Sequence, residues 1–237
     1  MLQARAIPIG RFGADLITQA KSGTGKTCMF AVIVLDTLKL DFRTPQAAII
    51  SPTRELAHQT RDVVRGIGTF MAGLGCEAFV GGMSTSDDVT LLTRPGACCH
   101  VVTGTPGRLR ALIEMGALAV EGLRQLVLDE ADVLLSDDFR PQIDVLFGIL
   151  PLRKQVMAVS ATYSKELLAL VRGYMREPQE VSSPFFPANP IAAVPSVFRG
   201  QGVPSIEFCS SDAAATRTAA DVRTLAHRCC SCERPPP

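Results

Sequence analysis

The stretch DLITQAKSGTGKT, Asp15–Thr27, decides the fold. Its first five residues suit a short strand, its middle is a glycine turn, and an apolar helical run follows Lys26. Strand, turn and helix in that order form a phosphate cradle. Gly23 and Gly25 let the backbone curl so that its N–H groups converge at a helix N-terminus. The candidate cradle is Ala20, Lys21, Ser22, Gly23, Thr24, Gly25, Lys26 and Thr27. In it Lys26 reaches the β- and γ-phosphates of a nucleotide, and Thr27 offers a hydroxyl to Mg²⁺. Against the pattern G-x-x-x-x-G-K-T, Ala20 stands at the first glycine position. The plainer reading is a glycine loop before a surface helix; the preceding strand and the Gly25-Lys26-Thr27 run weigh against it.

Outward from this stretch, short apolar segments alternate with helix-like ones up to about residue 180. The expected strands are Asp15–Gln19, Ala47–Ser51, Glu77–Val80, His100–Thr103, Leu126–Leu128 and Val156–Val159. Each is brief and nearly continuous in apolar residues, as strands buried on both faces of a parallel sheet are. Between them the pattern predicts helices over Gly25–Leu38, Arg54–Met71, Pro106–Met115, Pro141–Leu150 and Lys165–Met175. The alternation predicts an α/β domain, a doubly wound parallel sheet, over residues 1–180. Residues 181–237 are of another kind. They hold eight of the 16 prolines, with Ala-, Ser- and Cys-rich runs between, so this tail is expected to be disordered.

The chain has 237 residues, 47% hydrophobic and 20% charged, with a net charge of +1. That balance by itself points to no acidic or basic partner, so any charged surface must be locally patterned. No run is long and apolar enough for a membrane span, and the N-terminus lacks a secretory signal. The eight cysteines are irregularly spaced. They fit a reduced, intracellular protein in nucleus or cytoplasm rather than a disulfide framework. His227, Cys229, Cys230 and Cys232 are metal-ligand types, but their spacing fits a zinc module poorly. Cys98 and Cys99 are expected as small buried hydrophobes.

A second chemical signal lies at Leu126–Asp132, where a hydrophobic strand runs into Asp129-Glu130-Ala131-Asp132. Acids at the carboxyl end of a parallel strand face the ligand edge of such a sheet. Asp129 is suited to Mg²⁺ and Glu130 to orienting or deprotonating an attacking water. A lone acidic pair would more simply begin a helix, where it complements the dipole.

Taken in order, these segments resemble the first RecA-like domain of the DEAD-box ATP-dependent RNA helicases. Ala20–Thr27 and Asp129–Asp132 match the two nucleotide motifs. Pro52-Thr53-Arg54-Glu55-Leu56, Gly81-Gly82, Thr105-Pro106-Gly107-Arg108 and Ser160-Ala161-Thr162 match further family motifs. Gln3 stands where the family has its adenine-reading glutamine. Ala6–Phe30 and Ala158–Ser164 are similar to the member associated with the survival-of-motor-neuron complex, which implies ribonucleoprotein-assembly partners. The resemblance implies a RecA-like P-loop fold, ATP and Mg²⁺ as cofactors, and RNA-stimulated ATP hydrolysis through Lys26, Asp129 and Glu130. It implies that Pro52, Thr53, Arg54, Gly81, Gly82, Thr105, Pro106, Gly107 and Arg108 line an RNA backbone track without base readout. Asp132, Ser160, Ala161 and Thr162 would couple the acids to RNA.

Each segment has a plainer reading alone. Pro52-Thr53 and Thr105-Pro106 are good helix starts, Ser160-Ala161-Thr162 could merely end a strand, and Gln3 could be an exposed polar residue. A DNA translocase or a transport-type ATPase would share the phosphate loop, but not Gln3, Thr105–Arg108 and Ser160–Thr162 together. The family also uses a second RecA-like domain that supplies an arginine finger. No counterpart follows residue 180, so the chain is expected to be a truncated product that hydrolyses ATP poorly. The alternative is a non-enzymatic nucleotide- or RNA-binding module acting through partners.

Overall fold

The computed structural model describes residues 2–94 and 98–182. Their elements run α1 Leu2–Arg11, β1 Leu16–Gln19, α2 Lys26–Thr37, β2 Ala47–Ile50, α3 Arg54–Ile67 and β3 Cys76–Phe79. They continue with α4 Thr85–Thr93, β4 Val101–Gly104, α5 Pro106–Glu114, β5 Gln125–Asp129, α6 Ala131–Leu134 and α7 Arg140–Ile149. The series closes with β6 Gln155–Ser160, α8 Lys165–Gly173 and β7 Gln179–Ser182. The tail from 181 onward, with its expected disorder and its His227, Cys229, Cys230 and Cys232, lies outside the described residues apart from the end of β7.

The seven strands form one sheet in the order β3-β4-β2-β5-β6-β1-β7. Every pairing is parallel. This is the doubly wound α/β sheet expected from the alternation. Period-two alternation divides the apolar residues between its two faces. Leu16, Ala47, Ile49, Val127, Met157 and Val159 pack under α1, α2 and α3. Their neighbours Ile17, Ala48, Ile50, Leu126, Leu128 and Ala158 pack against α5, α7 and α8. Burial on both faces is why the strands read as unbroken apolar runs.

Several elements carry no such signal. α1 contains Pro8, which removes a helical N–H and argues against a helix interior. Packing overrides that cost. Leu2, Ala6 and Gly10 recur at helical spacing and are buried against α2. A Cβ at Gly10 would lie 2.5 Å from Ile33 Cδ1, so the two helices approach at a glycine. β7, with the sequence QEVS, is polar and straddles the boundary expected at residue 180. It is fixed by pairing with β1 and by Arg5 Nη1, which donates to Ser182 O at 3.3 Å.

At the amino edge of the sheet, Asp15 is buried and accepts from Val156 N and Arg176 N, each at 2.7 Å. Gln155 Nε2 donates to Gly10 O at 2.8 Å and Ala14 O at 2.6 Å, tying α1 to β6. Cys99 is buried as expected, and burial pushes its thiol well up; Cys98 is only half-buried, against the His100 ring at 3.2 Å. Among the described residues no helix is long and apolar enough to cross a membrane.

Candidate functional site

The turn between β1 and α2 follows from its glycines. Gly23 and Gly25 sit at φ 77° and 83°, a left-handed region that costs residues with a Cβ. Gly25 then caps α2, with Lys26 as its first residue. Gly25 has no room for a side chain either, because a Cβ would lie 2.2 Å from Gln3 Nε2. That amide donates to Thr24 O at 2.8 Å and to Gly25 O at 3.4 Å, fastening α1 to the turn. Thr24 Oγ1 donates to Lys21 O at 2.7 Å. Lys21, Ser22 and Gly23 are exposed, while Lys26 and Thr27 are half-buried. Ala20, at the first glycine position, is buried with its N–H donating to Ser160 O at 3.0 Å. It is not among the positive-φ residues, so the loop does not need glycine there.

The acids end β5, two strands from β1. Asp129 pairs in register with Val159, and Gln19 with Ser160, so both segments reach the same carboxyl edge. Asp129 is 5% exposed. Burial, reinforced by the Glu130 charge and opposed by Lys26, pushes its carboxyl up to about 6. Its carboxylate oxygen accepts from Glu130 N at 3.1 Å. Glu130 is held at φ 53°, a left-handed strain costing on the order of 1–3 kcal/mol in a residue with a Cβ. Asp132 accepts from Thr162 Oγ1 at 2.7 Å, and Ser160 Oγ both donates to Thr162 O and accepts from Thr162 N. The expected link between acids and the Ser160–Thr162 segment thus has a hydrogen-bonded path.

The donor set fits a hard divalent cation. A buried carboxyl resisting ionisation beside a second acid is an oxygen ligand that Mg²⁺ would stabilise, with Thr27 offering a hydroxyl. The same burial has a sign that can be measured. Asp129 holds its proton more tightly folded than unfolded, so the stability this gives is present below about pH 4 and is lost as pH rises through about 6. Asp129→Asn should therefore stabilise the ligand-free chain at pH 8 by on the order of 3 kcal/mol, at roughly 1.4 kcal/mol per pKa unit, and leave it nearly unchanged near pH 4. Thermal midpoints at the two pH values check this; equal midpoints at pH 8 exclude the buried-charge account.

On the other half of the same edge, the ends of β2, β3 and β4 open into a groove of about 600 Å³. Pro52, Thr53, Arg54, Gly81, Thr105, Pro106, Gly107 and Arg108 all line it. Two helices begin here. Thr53 caps α3 by accepting from Leu56 N at 3.3 Å, and Thr105-Pro106 starts α5. Their first N–H groups and dipoles favour an anion. Gly82, at φ 84°, brings the β3–α4 turn under Arg54; a Cβ there would lie 2.0 Å from Arg54 Nη1. The space a side chain at Gly82 would need is thus taken by Arg54. Arg108 lines the groove with its side chain only 8% exposed and bonded within the protein. Phe139 and Gln142, from the start of α7, complete the lining. Nothing in the sequence near Pro141 marks those two, because their place depends on α7 packing beside α5.

A family model described as DEAD/DEAH box helicase matches residues 1–170. The probable ATP-dependent RNA helicase DDX20 of Mus musculus is 47% identical over 178 residues, 75% of this chain and 21% of that protein. The ATP-dependent RNA helicase FAL1 of Saccharomyces cerevisiae is 41% identical over 182 residues, 76% of this chain and 45% of its own length. The chain thus spans less than half the length of these relatives. Among solved structures, S. cerevisiae Dbp5 L327V bound to RNA and ADP BeF3 superposes with a TM-score of 0.68 at 27% identity, covering 76% of this chain and 44% of that one. A DEAD box protein from the hyperthermophile Methanococcus jannaschii gives 0.69 at 27% identity, with 76% and 48% covered. A seven-stranded parallel sheet with its phosphate turn after β1, its acids after β5 and a motif-lined groove after β2–β4 places the chain in the DEAD/DEAH box helicase family.

Proposed function

We propose that this chain is the ATP- and RNA-binding domain of an RNA-stimulated ATPase, an ATP-dependent RNA helicase. The observation that carries the reading is the division of one sheet edge. The ends of β1, β6 and β5 bear the phosphate turn, Ser160–Thr162 and the acids. The adjoining ends of β2, β4 and β3 bear a groove built from two helix N-termini and Arg54. The relatives are named ATP-dependent RNA helicases, and the similar Dbp5 L327V structure is of that protein bound to RNA and ADP BeF3.

In this reading Ala20–Thr27 cradle the phosphates, Lys26 neutralises the β- and γ-phosphates, and Gln3 serves adenine while bracing the turn. Thr27 and Asp129 hold Mg²⁺, which supplies charge neutralisation at the transferring phosphate. Glu130 orients the attacking water. Pro52, Thr53, Arg54, Gly81, Gly82, Thr105, Pro106, Gly107 and Arg108 serve the RNA backbone. Asp132, Ser160, Ala161 and Thr162 couple the two halves of the edge. Residues 1–180 act as the helicase ATP-binding domain, in nucleus or cytoplasm and with ribonucleoprotein-assembly partners.

A groove that grips phosphates through Arg54 and helix dipoles binds RNA without sequence preference. Arg54→Ala should weaken binding of unrelated single-stranded RNAs to a similar degree and lower the salt slope of log affinity by about 1. Fluorescence anisotropy over a salt series measures both. Loss confined to one RNA sequence, or an unchanged slope, would speak against a backbone groove.

A further inference from the structure

Arg108 is an arginine of the groove that the protein has already engaged. Its Nη1 donates to Asp88 Oδ2 at 2.5 Å, and its Nη2 donates to Met83 O at 2.6 Å. The two charged side chains are 8% and 15% exposed. Asp88 belongs to α4, the helix that follows the Gly81-Gly82 turn. Arg108 belongs to the first turn of α5. The pair therefore joins α5 to α4, and the bond to Met83 O joins α5 to the turn that precedes α4. Arg54 lies against the same turn, at Gly82. Two guanidinium groups of the groove thus meet this turn, the exposed Arg54 at Gly82 and the buried Arg108 at Met83 O.

We propose that Asp88 is a positioning residue of the RNA-backbone groove, acting through Arg108. The inference rests on the RNA-binding reading of that groove. A buried guanidinium that loses its carboxylate keeps a charge only a carbonyl offsets, and such a group relocates to find a partner or water. When Arg108 moves, its bond to Met83 O is lost, and the turn under Arg54 is no longer tied to the N-terminus of α5. The groove then presents its anion-binding groups in a looser arrangement, which weakens a ligand that needs several at once.

The test exploits a conflict of sign. Removing a carboxylate from a site that binds a polyanion strengthens binding if the carboxylate contributes charge alone. As a positioning residue, Asp88 gives the opposite result. In the 237-residue chain, Asp88→Asn should weaken binding of a short single-stranded RNA by roughly tenfold, while the salt slope stays at the wild-type value because no phosphate contact has been deleted. Asp88→Glu should restore most of the affinity, and thermal midpoints should distinguish loss of positioning from unfolding. Arg108→Lys is the second variant: one ammonium cannot span Asp88 and Met83 O as a fork does, so it too should weaken binding. An RNA-free readout accompanies these, the reactivity of each arginine toward phenylglyoxal, mapped by mass spectrometry. Arg54 should react and Arg108 be protected in the wild type, with Arg108 becoming reactive in Asp88→Asn. Equal or tighter RNA binding by a folded Asp88→Asn chain, or an Arg108 equally reactive in both, overturns the proposal. Failure of the wild type to bind RNA overturns the groove reading beneath it, and that outcome is recognised before any variant is compared.

Discussion

Replacing Lys26 by alanine should reduce the affinity of the chain for ATP–Mg by on the order of 10²–10⁴-fold, since hydrogen bonds to charged groups contribute roughly 1.5–3 kcal/mol each and the ammonium would make two. The size of the effect follows from position. Lys26 is the first residue of α2, after a turn whose shape two left-handed glycines impose. It is half-buried, so its charge is less screened than that of a surface lysine. Its field already reaches Asp129, easing an ionisation that burial and Glu130 oppose. Alanine at 26 therefore has a second consequence: without the lysine, Asp129 holds its proton still more tightly in the ligand-free chain. A variant that lost nucleotide because it unfolded would lose its thermal transition, whereas this one should keep it.

Joining the chain to the second RecA-like domain of a relative should raise RNA-stimulated ATP turnover by about 10³–10⁵-fold, the range an arginine finger contributes to phosphoryl transfer. The proposed phosphate cradle, metal ligands and water-orienting acid share one edge, but hydrolysis also needs positive charge placed against the departing phosphoryl group from outside that edge. The chain alone should thus bind ATP well and turn it over slowly. Glu130→Gln in the joined protein should remove the gain while leaving nucleotide binding in place, because it changes the group that handles water and not those that grip phosphate. A coupled phosphate-release assay with and without RNA measures turnover in all three, and a nucleotide-binding titration checks the variant. Turnover by the joined protein no faster than by the chain alone would mean that the edge is not a hydrolytic site.

The sequence was legible where chemistry and burial coincide. Six strands read correctly to within a residue or two because both their faces are buried, which leaves apolar runs with polar turns at each end. The turn after β1 was legible because positive φ requires glycine at Gly23 and Gly25, and Ala20 fits at the first glycine position because the backbone there has no positive φ. What could not be read depends on partners distant in the chain. α1 is a helix in spite of Pro8, because Leu2, Ala6 and Gly10 pack on α2. β7 is a strand in spite of QEVS, because β1 offers it an edge. Gln3 was found as a candidate, but its bonds to Thr24 O and Gly25 O depend on how α1 docks. Arg108 was legible only as a residue of the expected RNA track, and its engagement by Asp88, twenty residues earlier, belongs to tertiary structure alone.

Calorimetric titration of ATP–Mg into the 237-residue chain, its Lys26→Ala variant and its Glu130→Gln variant tests the central claim most directly. One saturable site in the wild type, lost in Lys26→Ala and retained in Glu130→Gln, is the result that a phosphate cradle on the β1–α2 turn predicts. No binding by the wild type, or equal binding by a folded Lys26→Ala chain, would contradict it.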